Sequence, residues 1–143
     1  MKIDISDFDA AAFVAAHPNE YIVFLTGGWE HQERTGYYDC LLCFNGHRKR
    51  LSKALQDQRS SNSVMLLGAA HACSLLRNEH TVLHLITPTP LGFVKGRKGR
   101  GVNMELIQDV LSICEKKNIE IIDIDVFGGG DLIKDVVRGR MRV

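Results

Sequence analysis

Tyr37-Tyr38-Asp39-Cys40-Leu41-Leu42-Cys43-Phe44-Asn45-Gly46-His47-Arg48-Lys49-Arg50-Leu51-Ser52-Lys53-Ala54-Leu55 is the stretch that decides the fold of this chain. Asn-Gly is the strongest short hairpin signal, because both residues accept the positive φ that a two-residue turn demands. It predicts antiparallel strands over Tyr37 to Phe44 and His47 to Leu55. Upstream, the compact apolar run Tyr21 to Leu25 reads as a further strand ended by Gly27-Gly28, which makes a three-strand meander. Before it, Ser6 is placed to cap a short helix running through Asp7 and Asp9 to Ala16, with His17, Pro18 and Asn19 as its stop.

Downstream the periodicity changes. Ser60 to Ser63 offer N-caps for an apolar helix over Val64 to Leu76, whose Gly68, Ala69, Ala70 and Ala72 allow close packing on a sheet. His80 to Thr87 is β-branched and alternating, a fourth strand. Thr89-Pro90 then reads as N-cap and first residue of a short helix to about Val94. Lys95 to Gly101 is a glycine-spaced basic loop. Asn103 caps an amphipathic helix to about Lys117 with Asn118 as its stop, and Ile119 to Phe127 is a fifth strand. Gly128-Gly129-Gly130 reads as a flexible connection to a last helix over Asp131 to Arg138, and Arg140 and Arg142 form a basic tail.

A meander followed by strand-helix-strand crossovers implies an α/β fold: a mixed five-stranded sheet, three strands antiparallel and the others parallel, with helices packed on it. With 143 residues, 45% hydrophobic and 24% charged, the chain suits one domain able to build a core without disulfides or a structural metal. The expected division is a lead-in with a short helix over 1–19 and a single domain over 20–143. Asp4, Asp7 and Asp9 stand where a secretory leader would be basic, and no run reaches the length of a membrane span, so the expected location is cytoplasmic. Cys40, Cys43, Cys73 and Cys114 lie in apolar segments. Cys40 and Cys43 are three apart on a strand and face opposite ways, with no second ligand pair, so they read as core thiols and no metal site is expected.

The order of local motifs resembles the type 1 ribonuclease H family over roughly Tyr21 to Arg138. The family's first strand ends in Thr-Asp-Gly-Ser, here Thr26-Gly27-Gly28-Trp29. Its first long helix opens with Asn and then Met-Glu-Leu, here Asn62-Ser63-Val64-Met65-Leu66. Its fourth strand ends in Thr-Asp-Ser, here Thr87-Pro88-Thr89, and its last helix carries Asp before a Leu-Ala pair, here Asp135-Val136-Val137. Asn103-Met104-Glu105-Leu106 looks closer to the Met-Glu-Leu helix. Too few elements follow it to complete the fold, so Glu105 reads as a first-turn acid favoured by the helix dipole.

The resemblance implies hydrolysis by two Mg²⁺ ions about 4 Å apart, held by carboxylates. It also implies that most of those carboxylates are missing: the four positions are Gly27, Met65, Pro88 and Asp135, and only the last is an acid. Gly, Met and Pro give a hard cation no oxygen ligand beyond the backbone. No catalytic residue and no cofactor is therefore expected, and Mg²⁺ only in a rearranged site. Asp123 with Asp125, and Asp131 with Asp135, are the acids that share a face. The family's loop histidine has no counterpart in Gly128-Gly129-Gly130. His71 and His84, inside apolar segments, read as satisfied core or boundary residues.

The formal net charge of +1 conceals a distribution. Residues 1–46 hold 2 basic and 7 acidic groups, residues 47–100 hold 10 and 2, and residues 101–143 hold 6 and 8. Lys95, Arg97, Lys98 and Arg100 stand where the family can carry a basic protrusion on the nucleic-acid backbone, and Asn62 matches a position beside the substrate's minor groove. Arg48, Lys49 and Arg50, with Lys53, follow the hairpin turn, and Trp29 is available to stack on a base. The expected function is a ribonuclease H-like protein that binds RNA, an RNA/DNA hybrid or a ribonucleoprotein without cleaving it. The alternatives are a viral or regulatory protein-interaction module, with Gly27, Met65 and Pro88 around Trp29 as an apolar patch, and an active hydrolase with relocated ligands.

Overall fold

The computed structural model describes residues 1–77 and 80–143. Its strands are β1 (Lys2–Asp4), β2 (Tyr21–Glu30), β3 (Thr35–Phe44), β4 (His47–Leu55), β5 (Thr81–Thr87) and β6 (Ile119–Phe127). Its α-helices are α1 (Ala10–Ala16), α2 (Ser61–Ser74), α3 (Phe93–Arg97), α4 (Met104–Glu115) and α5 (Gly130–Val137). The sheet order is β1-β6-β5-β2-β3-β4, with β2-β3 and β3-β4 antiparallel and the other pairs parallel. Among the described residues, no helix is long and apolar enough to cross a membrane.

The hairpin forms as its turn dictates. Asn45 has φ 48° and Gly46 φ 82°, which matches the right-handed twist of the strands they join. Ser60 caps α2 in a reciprocal box: its hydroxyl accepts from Ser63 N–H, and the Ser63 hydroxyl accepts from Ser60 N–H. That helix is apolar nearly all round because it is buried between the sheet and α4.

Strand alternation splits the core in two. One face of the sheet, carrying Val23, Leu25, Cys40, Leu83 and Leu85, packs on α2 and α4. The other, carrying Ile22, Phe24, Cys43, Ile86 and Ile124, packs on α1 and α5. Cys40 and Cys43 accordingly face opposite layers, and all four thiols are free and buried.

The structure corrects several expectations. The sheet has six strands rather than five, because Lys2–Asp4 pairs parallel with Asp125–Phe127; a three-residue strand is too short to show a periodicity. Ser6 does not cap the first helix. Its hydroxyl donates to Asp4, and Asp9 instead accepts from Ala12 N–H at 3.0 Å to open α1. Both carboxylates are stronger acceptors than the hydroxyl they displace.

Gly27-Gly28 does not end β2, which runs on to Glu30 because β3 continues to hydrogen-bond it as far as Thr35. Thr89-Pro90 does not start the short helix. Thr87 Oγ1 donates to the Thr89 carbonyl at 2.7 Å, the chain continues to bury Leu91, and α3 begins at Phe93 after Gly92. Lys95 and Arg97 thereby lie in the last turn of α3 rather than in a loop. Asn103 makes no side-chain cap, although its carbonyl accepts from Ile107 N–H. The glycine triplet is no loose connection: Gly129 is buried against Val126, and Gly130 is already helical.

Candidate nucleic-acid interface

Around Gly27, β2 is crowded by α2 and by the neighbouring strand β3. A β-carbon built on Gly27 would lie 2.9 Å from Met65 Cγ and 2.8 Å from the Tyr37 carbonyl oxygen. Met65, buried in the second turn of α2, fills the space that a longer residue at 27 would need. Pro88 follows the last residue of β5, level with this end of the sheet. Asp135 lies on α5, where its carboxylate is 3.6 Å from Arg140 Nη1.

The basic residues separate once placed. Asn62 Nδ2 donates to the Pro90 carbonyl at 3.4 Å. That contact forms one wall of a groove of about 490 Å³ between the start of α2 and the α3–α4 connection. Lys95 and Arg100 line the groove beside Val94 and Val102, which are 68% and 91% exposed. Lys98 is exposed in the turn just after α3. Arg97 is committed elsewhere: it donates to Asp123 Oδ1 at 2.9 Å and to the Ile121 carbonyl at 3.0 Å, and lies over the Phe93 ring.

The hairpin cations lie on the far flank. Four strand spacings separate β6 from β4, about 19 Å. Arg48 donates to the Val143 carbonyl, and Arg50 makes a two-pronged pair with Asp39 at 2.9 and 2.7 Å. Register puts Arg48 level with Ile22 and Lys53 level with Gly27, so Arg48, Lys49 and Arg50 sit toward the opposite end of the sheet from Gly27. Trp29 is half-buried; its indole N–H donates to the Gln58 carbonyl at 3.0 Å and its ring meets His31 edge-on.

Asp39 is a group that the sequence did not single out. Its buried carboxylate accepts from Arg50 and from Ser52 Oγ at 2.6 Å, with Arg138 Nε at 4.0 Å. Burial pushes its pKa up, but the bonds from Arg50 and Ser52 and the charges of Arg50 and Arg138 outweigh that and hold it below the usual carboxylate value. An acid opposite a hydroxyl and an arginine on adjacent strands is a signal only once the register is known.

The arrangement of the sheet is matched among solved structures. The N-terminal RNase H domain of Rv2228c from Mycobacterium tuberculosis, solved as a fusion with maltose-binding protein, superposes with a TM-score of 0.60 at 9% identity, covering 75% of this chain and 86% of that one. The fold is ribonuclease H-like. No protein-family model and no curated protein matches the sequence.

A ribonuclease H-like fold implies two Mg²⁺ ions, and the groups at the Gly27 end do not fit them. Gly27 has no ligand atom and no room for one, and Met65 offers a thioether, a soft donor unsuited to a hard cation. Among the described residues, no three carboxylates converge there. Of the acids that share a face, Asp123 is paired with Arg97, Asp125 keeps one buried oxygen without a partner, Asp131 is exposed and Asp135 faces Arg140. Glu105 is exposed in the first turn of α4. The helix whose side chain reaches Gly27 is α2, through Met65.

Proposed function

We propose that this ribonuclease H-like protein binds RNA or an RNA/DNA hybrid along the α2–α3 groove without cleaving it. The observation that carries the reading is the convergence of Asn62, Lys95 and Arg100 on one groove with Lys98 beside it, next to a β2 end where Met65 stands in place of an acid. Lys95, Lys98 and Arg100 have no ion-pair partner among the described residues, so they are free to replace counterions on a phosphate backbone. The exposed Val94 and Val102 give sugars and base edges an apolar surface between the cations. Arg97, Arg48 and Arg50 have protein partners and are not part of the grip.

The test is binding of a labelled RNA/DNA hybrid as a function of salt. Three phosphate contacts predict a slope of log affinity against log salt of about −3. Changing Lys95, Lys98 and Arg100 to Glu together is expected to abolish binding while the fold persists. No binding of hybrid or RNA at low salt overturns the reading and favours a protein partner. Mg²⁺-dependent cleavage that disappears in Asp135→Asn overturns the absence of catalysis.

A further inference from the structure

At the end of the sheet away from Gly27, three potential ligands meet from two distant parts of the chain. His17 and Glu20 lie between α1 and β2, and His84 lies on β5 in register with Ile22. One ligand atom from each falls within 4.8 Å of the others. We propose that His17, Glu20 and His84 form a Zn²⁺ site that fastens α1 to the sheet.

The ring chemistry supports this. His17 Nδ1 lies 2.8 Å from the Phe13 carbonyl, a bond that holds the proton on Nδ1 and leaves a lone pair on Nε2. Metal-bound histidines usually have this second bond, since it orients the ring and raises its basicity. His84 is 92% buried, with Nε2 at 3.0 Å from Glu20 Oε1. Its Nδ1 is buried with no hydrogen-bond partner. Nε2, the nitrogen that faces Glu20, is the one that a cation held between the two residues takes, and Nδ1 stays unpaired either way.

The spacing and the surroundings suit zinc. Ligand atoms bound at about 2.1 Å in a tetrahedron stand about 3.4 Å apart, so three atoms within 4.8 Å close on an ion by small side-chain rotations. Two imidazoles and one carboxylate select Zn²⁺ over Mg²⁺ or Ca²⁺, which favour oxygen. The Phe13 ring packs on both imidazoles, with centroids 4.4 and 5.2 Å away, which limits access of water. A small cavity of about 180 Å³, bordered by His17, Glu20 and Cys43, has space for a water as fourth ligand. Burial pushes the Cys43 thiol up to about 11, so it is not a ready thiolate ligand. Five residues of β2 separate the level of His84 from Gly27, about 17 Å, so the site is distinct from the one a ribonuclease H uses.

The experiment is calorimetric titration of the untagged full chain with Zn²⁺, repeated with Co²⁺ as a spectroscopic reporter. The expected result is one equivalent bound per chain, tetrahedral Co²⁺ bands without a thiolate charge-transfer band, and a higher thermal midpoint in Zn²⁺ than in chelator. His17→Ala and Glu20→Gln, both at half-buried positions, are each expected to weaken Zn²⁺ binding at least tenfold while remaining folded by circular dichroism. Absence of stoichiometric binding by the folded chain overturns the proposal. So does binding that survives unchanged in the His17→Ala/Glu20→Gln double variant, or a cobalt spectrum showing thiolate ligation.

Discussion

Met65 and position 27 share one space: the Met65 side chain stands where any residue larger than glycine on that part of β2 would project. Gly27→Asp is therefore expected to destabilise the fold by about 3 kcal/mol, since it drives a carboxylate into a methionine side chain and a carbonyl oxygen. Met65→Ala makes room at its own cost of about 2–3 kcal/mol. The two changes together are expected to cost less than their sum, because they share the same space. Urea denaturation of the two single variants and the double variant measures the coupling.

Asp39 predicts an acid limb. Its folded pKa is below the unfolded value, so its contribution to stability is fully present above about pH 4 and is lost as the pH falls through the lower folded value. Asp39→Asn weakens the two-pronged bond from the half-exposed Arg50, which water then solvates, and is expected to cost about 1 kcal/mol at neutral pH. The gap between the two proteins is expected to narrow below pH 4, which denaturant titrations from pH 2 to 7 would reveal. A gap that stays constant with pH would contradict the assigned role of the carboxylate.

Arg97 and its basic neighbours are expected to part company on substitution. Arg97→Ala removes bonds to Asp123 and the Ile121 carbonyl and is expected to cost about 1–2 kcal/mol of stability, leaving the salt slope of hybrid binding unchanged. Lys95→Ala or Arg100→Ala is expected to leave stability unchanged and to lower the slope by nearly one unit each. Paired melting and binding measurements separate the two behaviours.

Three of the four thiols are expected to be inert in the native state. Burial, with the Asp39 charge adding to it, pushes Cys40 up to about 12, and burial pushes Cys43 up to about 11. A hydrogen bond with Cys114, together with burial, also pushes Cys73 up. At neutral pH the reactive thiolate of these three is scarce. Iodoacetamide is expected to modify Cys40, Cys43 and Cys73 only at the rate of unfolding, and all four cysteines promptly in denaturant.

The sequence makes legible those parts of the fold whose signals are local. Asn45-Gly46 states its turn, Ser60 with Ser63 states the start of α2, and alternation places Cys40 and Cys43 in opposite layers. What it does not disclose is pairing across distance. Arg97 meets Asp123, Arg50 meets Asp39, and His84 meets Glu20 across 64 positions, and composition treats each of these residues as an unassigned charge or a lone histidine. The basic middle of the chain therefore looks like one patch on paper, whereas the register divides it between two flanks of the sheet. β1 is invisible for a different reason: three residues carry no period, and only the exposed edge of β6 makes them a strand.

That division has a consequence for how copies of this protein meet. β1 pairs only with Asp125–Phe127, leaving the first part of β6 as one rim of the sheet, and β4 is the other. Unpaired rims invite another chain to add a strand, and lysine or arginine placed on them is a common deterrent. Here Arg97 occupies the Ile121 carbonyl on one rim, while Arg48, Lys49, Arg50 and Lys53 stud the other. Two molecules approaching β4 to β4 therefore repel before their backbones can zip, and at the β6 rim an incoming strand has to displace Arg97 from the Ile121 carbonyl.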